Sequence, residues 1–220
     1  MLPGIRASAS DVGRVLRAAL ETAALRRLQG AWAATSLATW SSTIVLAVYG
    51  FSVGGATAVG LIGLARMLPA AFAAPVTGLI GDRHSRRDVL LVCALLRCGL
   101  GLLVAACVLA GLPLGVAVAI ASVQTIAGMA YRPAQAAFLP QLASTPEQMA
   151  AANAVWSAIE SLGFLVGAIG GGLLIAGLSP EIALTATALP YALAALLLAG
   201  IPRDATPEHR QAIEGSSMRH

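Results

Sequence analysis

The chain contains no lysine and little charge of any kind. All 14 basic residues are arginine, and charged side chains make up only 11% of the 220 residues. Soluble domains carry roughly 25% charged residues, so this composition cannot cover a water-facing surface. With 58% of residues apolar, the solvent that suits it is a bilayer. The formal charge of +4 does not point to nucleic acid, because the arginines form no basic face interleaved with exposed aromatics. The lysine deficit accompanies an excess of alanine, leucine and glycine and reads as base-composition bias. The three cysteines, Cys93, Cys98 and Cys107, share one apolar run without the paired spacing or nearby His and carboxylates of a metal site, and they imply no disulfide framework. No Gly-x4-Gly-Lys loop is present, so ATP does not drive this chain. His84, His209 and His220 fall in a loop or the tail, and no span holds paired carboxylates. An enzyme, a metal or an organic cofactor is therefore not expected.

What is present is a set of long apolar runs. No charged residue occurs between Arg27 and Arg66, too long a stretch for one helical crossing of about 20 residues. The segment Gly50-Phe-Ser-Val-Gly-Gly-Ala56 breaks it. The runs predict six transmembrane helices near 31–50, 56–79, 88–110, 114–132, 149–176 and 182–201, with the fourth stopping at Arg132-Pro133. Thr145-Pro-Glu-Gln148 offers an N-cap, a first-turn proline and a capping-box residue for the fifth helix. An even number of crossings puts both termini on one side. Twelve arginines lie in the N-terminal segment, the loops on that side and the tail, while the opposite loops hold none, so both termini are expected in the cytoplasm. The expected organisation is a cytoplasmic segment over 1–28, a six-helix domain over 29–203 and a flexible polar tail over 204–220. Within the first segment Val12, Val15, Leu16 and Leu20 lie opposite Arg14 and Arg17, which suits a short amphipathic helix at the membrane surface.

Between the second and third runs stands Gly-Leu-Ile-Gly-Asp-Arg-His-Ser-Arg-Arg-Asp-Val-Leu, residues 78–90. It resembles the signature loop of major facilitator superfamily transporters. Gly78, Asp82, Arg83, Arg86, Arg87 and Leu90 match by identity, and Ile80 and Gly81 by size; Ser85 departs from a family glycine. The fifth run contains Gly163-Phe-Leu-Val-Gly167-Ala-Ile-Gly-Gly171-Gly172, and glycines four apart let helices approach closely in lipid. Its order resembles the fifth-helix motif of drug and proton antiporters of that superfamily, with Ala168 in place of the proline. The segment Tyr131 to Leu142, followed by Ala151-Ala-Asn153-Ala, resembles the enterobactin-exporter-like branch and its relatives with cyclic-nucleotide-binding domains.

The resemblance implies an all-α membrane protein and one six-helix half of the major-facilitator fold, a 3+3 inverted repeat. It implies a partner as well: a second six-helix half, in a longer chain or as a homo- or heterodimer. It assigns Gly78, Gly81, Asp82, Arg83, Arg86 and Arg87 to a loop that locks one conformation. It also implies secondary transport by alternating access in a bacterial inner membrane, powered by a proton gradient, with export of a small amphipathic molecule.

Three ionisable residues fall near the middle of runs: Arg66, Arg97 and Glu160. Each should face the bundle interior and find a partner. The expectation is a Glu160–Arg66 pair, with Glu160 the titrating group and Arg97 more structural. The first run is rich in hydroxyls, and Thr35, Thr39, Trp40 and Ser42 are candidate cavity-lining residues, matched across the cavity by Gln124 and Thr125. The rival expectation is a non-transporting membrane scaffold or anchor, or an inactive truncated half-transporter.

Overall fold

The computed structural model describes residue 13 and residues 17–83, 85–143 and 145–202. The expected amphipathic helix around Val12 to Leu16 and the tail after 203 lie outside these residues. The described residues form helices only: α1 (Ala23–Arg83), α2 (Arg86–Leu109), α3 (Leu114–Ala127), α4 (Tyr131–Leu142), α5 (Pro146–Gly177) and α6 (Pro180–Ala199). Among the described residues five stretches are long and apolar enough to cross a membrane, with α3 and α4 counted together.

Helix α1 is not one rod. Gly54 and Gly55 leave helical geometry, and Gly55 takes φ 64°, a conformation open to glycine at little strain. The break falls inside the segment where the sequence predicts it. Beyond it the chain folds back on itself. Arg66 donates to the Thr43 hydroxyl at 3.3 Å, although 23 residues of straight helix would separate them by about 34 Å. Close to the turn, Gly50 has no side chain where a Cβ would overlap Ile62.

Local chemistry explains the other boundaries. Ser85 caps α2, its hydroxyl accepting from the Asp88 amide at 3.2 Å. The family glycine is thus replaced by a residue that supplies a hydrogen bond in an extended conformation (φ −60°). Gly111, at φ 66°, ends α2 just before Pro113. Thr145 caps α5 through the Gln148 amide, and Pro146 occupies the first turn, as the sequence predicts. The predicted stop at Arg132-Pro133 does not hold. After a tight turn at Gly128–Ala130 the chain re-enters helix as α4, because Pro133 lies in a first turn where no amide donor is needed.

α1 packs against α5, α6 and α3, and α2 against α6 and α3. Two apolar clusters result. One joins Leu28, Trp32, Leu90, Tyr131, Phe138 and Leu198. The other joins Val45, Leu46, Ile62, Val104, Ala117 and Leu184. Between them every contributing helix turns polar: Thr35 to Thr43 on α1, Arg97 on α2, Ser122 to Thr125 on α3, and Thr187 and Tyr191 on α6. The outer surface is apolar, with Phe72, Leu96, Leu173 and Leu196 exposed as lipid-facing side chains should be.

The seam between α1 and α5 is closer than side chains would permit. A Cβ on Gly167 would lie 2.8 Å from the Trp40 Cβ and 3.0 Å from the Leu37 carbonyl, and one on Gly171 2.9 Å from the Ser41 Cα. Gly163 faces Ser36 in the same way. Gly172, expected on this face, points instead into open space, because its position is rotated off the four-residue row.

Candidate functional site

The polar layer encloses a cavity of about 210 Å³ lined by Trp32, Ser36, Thr39, Trp40, Arg66, Arg97, Thr125, Gly128, Met129, Tyr131, Arg132 and Glu160. Two guanidinium groups form its inner wall. Arg66 reaches from the second arm of α1 and donates through Nε to the Thr125 hydroxyl at 3.1 Å and through Nη1 to Thr43. It thereby ties both arms of α1 to α3. Arg97 is only 8% exposed. Its Nη2 donates to the Thr39 hydroxyl at 2.8 Å, and its guanidinium lies 4.5 Å from the Tyr191 ring centre, a cation–π distance.

Room for this arginine comes from glycine. A Cβ on Gly128 would sit 3.0 Å from the Arg97 Cζ, so the turn between α3 and α4 is shaped around the guanidinium. Gln124 donates to the Arg97 carbonyl at 2.8 Å, and Gly101, one turn on, leaves space for that amide. The hydrogens in the layer can be assigned. The Thr39 hydroxyl donates to the Thr35 carbonyl at 2.6 Å, which uses its single proton. The Tyr191 hydroxyl, 3.1 Å away, must therefore donate to Thr39, which also accepts from Arg97.

Both arginines are held by neutral groups. Among the described residues neither has a carboxylate partner, and the Nε of Arg97 is buried without an acceptor. An arginine at mid-helix costs at least about 2.5–3.5 kcal/mol on insertion scales. A cation–π contact and a few hydroxyls offset part of that.

Glu160 is placed differently from expectation. It pairs with Arg132 at the cavity mouth, not with Arg66. The reason lies in α4: helix re-forms there and swings Arg132 toward α5, while Arg66 is engaged by hydroxyls deeper inside. The pair is open to solvent, with side chains 57% and 44% exposed. Arg132 also lies 5.8 Å from the Trp32 ring, which stacks on Tyr131 and meets Trp156 edge-on. Trp40 is braced edge-on by Phe164 at 4.6 Å.

Of the predicted lining residues, Thr39, Trp40 and Thr125 reach the cavity. Thr35, Ser42 and Gln124 are buried behind it, where Ser42 bonds the Thr39 carbonyl and Gln124 supports Arg97. Arg97, expected to be structural, lies in the cavity wall beside Arg66. Ser36 belongs to the hydroxyl-rich first run, whereas the sequence does not single out Trp32, Tyr131 or Arg132 as lining residues. Arg132 carries a signal in the sequence, an arginine that closes the fourth run, but there it counts only toward the arginine-rich side of the membrane.

In the motif loop, the Asp82 and Arg83 side chains and the surroundings of Gly78 and Gly81 fall outside the described part. Arg87 is described, and it turns inward. It donates to the Leu198 carbonyl at 3.3 Å and the Ala199 carbonyl at 2.8 Å while bonding Asp88 at 2.8 Å. Arg27 donates to the neighbouring Gly200 carbonyl. Two cations thus occupy the C-terminal end of α6, where carbonyls lack helical partners and the helix dipole is negative.

The three cysteines are free, and no cluster of potential metal ligands occurs among the described residues. The family model of the Major Facilitator Superfamily matches residues 31–218. No curated protein and no solved structure matches the chain. Apolar helices around a polar, charged interior, the hairpin motif and a family match over most of the length agree: the chain belongs to the major facilitator superfamily of membrane transporters.

Proposed function

We propose that this transporter is a proton-coupled exporter of a small amphipathic molecule, working by alternating access in a bacterial inner membrane. The observation that carries the reading is the cavity between the two apolar clusters, at mid-helix depth, lined by charged, hydroxyl and aromatic groups together. Such a lining suits a cargo with an apolar body and a polar end. Glu160 is the coupling group: a carboxylate at the cavity mouth whose partner, Arg132, is equally accessible. Protonation would release that pair and change the mouth's charge. The two arms of α1 would cross separately and, with the four crossings that follow, make six, which would put both termini on the cytoplasmic, arginine-rich side. The six helices would be related as a 3+3 inverted repeat.

The side of the cavity bearing Arg132 and Glu160 is open, which supports a second six-helix half closing the pathway, either in a longer chain or as another subunit. Kinship with the enterobactin-exporter-like branch rests on the Tyr131–Leu142 segment and is part of the same proposal. The test is proton flux. Proteoliposomes carrying the protein and loaded with a pH-sensitive dye are challenged with a panel of amphipathic compounds. A compound-dependent proton movement that disappears in Glu160→Gln supports the reading. Proton movement that persists unchanged in that variant removes Glu160 from coupling, and transport without proton movement removes exchange.

A further inference from the structure

The charges of the cavity do not balance. Arg132 and Glu160 neutralise each other at the mouth. Arg66 and Arg97 remain on the inner wall, two permanent cations with no carboxylate beside them among the described residues. A guanidinium carries five N–H donors, yet only three bonds to hydroxyls engage this pair. The Nε of Arg97, in a side chain more than nine-tenths buried, has no acceptor at all. The guanidinium is packed against the Gly128 turn and lies 4.5 Å from the Tyr191 ring centre. Both guanidiniums line the cavity, and two cations there with more donors than acceptors suit an anionic partner.

We propose that the cargo is an organic anion, its carboxylate, sulfonate or phosphate held by Arg66 and Arg97 and its apolar part against Trp32 and Trp40. This deepens the transport reading and rests on it for the anion's fate, but binding is measurable without flux. The arrangement selects by charge and by shape together. Trp32 and Trp40 line the same cavity as the arginines and supply apolar surface there, and a cavity of about 210 Å³ suits a single aromatic ring with a substituent. A cationic or neutral compound of the same shape would leave both guanidiniums unpaired.

The test uses heavy-atom quenching of the tryptophans, because Trp32 and Trp40 line the cavity. The full-length protein in phosphatidylcholine nanodiscs is titrated with 3-bromobenzoate and, in parallel, with the neutral isostere 3-bromobenzamide. The expected result is saturable quenching by the carboxylate at a concentration about tenfold or more below that for the amide, the factor typical of one charged hydrogen bond. Arg97→Gln should erase that preference, and Arg97→Lys should retain part of it. Equal quenching by the two compounds in the unmodified protein would overturn the proposal without reliance on any variant. So would a preference that survives both Arg66→Gln and Arg97→Gln.

Nanodiscs containing phosphatidylglycerol distinguish two sources of the anion. Competition by that lipid assigns the site to a lipid headgroup, and unchanged titration assigns it to a soluble cargo. Flux measured alongside separates this inference from the transport reading. Selective binding without flux keeps the anion site and removes transport, whereas flux of neutral compounds alone does the reverse.

Discussion

The seam between α1 and α5 and the polar layer beside it share the same stretch of α1 but are held in different ways. The seam is steric: Gly163, Gly167 and Gly171 let the backbone of α5 touch Ser36, Trp40 and Ser41. The layer is chemical: Thr39, Arg66, Arg97, Gln124 and Tyr191 join four helices through oriented hydrogen bonds. Residues two apart on α1, Thr39 and Ser41, fall on the two sides of this division. Position in the helix, not residue type, decides whether a hydroxyl matters. The seam should therefore answer to volume and the layer to polarity.

The largest effect is expected at the seam. Gly171→Val would drive a branched side chain into the Ser41 backbone, which cannot retreat, and should lower stability by about 3 kcal/mol in chemical unfolding from detergent. Gly171→Ala should fall between that and the parent protein; equal stability of all three would mean the helices are not in contact there. Next comes Thr39→Val, which keeps volume and removes the acceptor shared by Arg97 and Tyr191. Two buried donors are then unpaired, for a loss of about 2 kcal/mol. A neutral outcome would place water, not Thr39, as their partner. Glu160→Gln breaks an exposed pair and should change stability by less than about 1 kcal/mol. A larger loss would show the pair to be shielded in the membrane. Ser41→Ala should be smallest, within about 0.5 kcal/mol, because its hydroxyl only bonds back to the Leu37 and Ala38 carbonyls of its own helix. A loss matching that of Thr39→Val would erase the distinction between seam and layer.

The sequence makes the seam far more legible than the layer, for a physical reason. Glycines spaced by four, a capping Thr145 and the Gly54–Gly55 break are local signals, written within one helix or turn. They placed the fold-back of α1, the start of α5 and three of the four packing glycines. Gly172 failed because contiguity in sequence is not contiguity on a helical face. The layer depends on how helices are rotated against each other, which no single segment encodes. Mid-run charge singled out Arg66, Arg97 and Glu160, but their side-chain hydrogen-bond partners lie up to 59 residues away. The pairing of Glu160 with Arg132 depends on helix resuming after Gly128, a continuation that the Arg132-Pro133 dipeptide disguises. Arg87 shows the same limit: its motif fixes where it stands in the chain, whereas the α6 carbonyls it binds come from more than 100 residues later.

The single proton of Thr39 has a further consequence for conduction. A hydrogen-bonded wire passes a proton only if each link can take one on one side and release one on the other. Thr39 receives from Arg97, which does not release its proton in a protein, and from Tyr191, and it discharges into a main-chain carbonyl. The wire ends at that carbonyl. A proton reaching Thr39 along these hydrogen bonds would therefore go no further, so this part of the layer is a dead end for conduction.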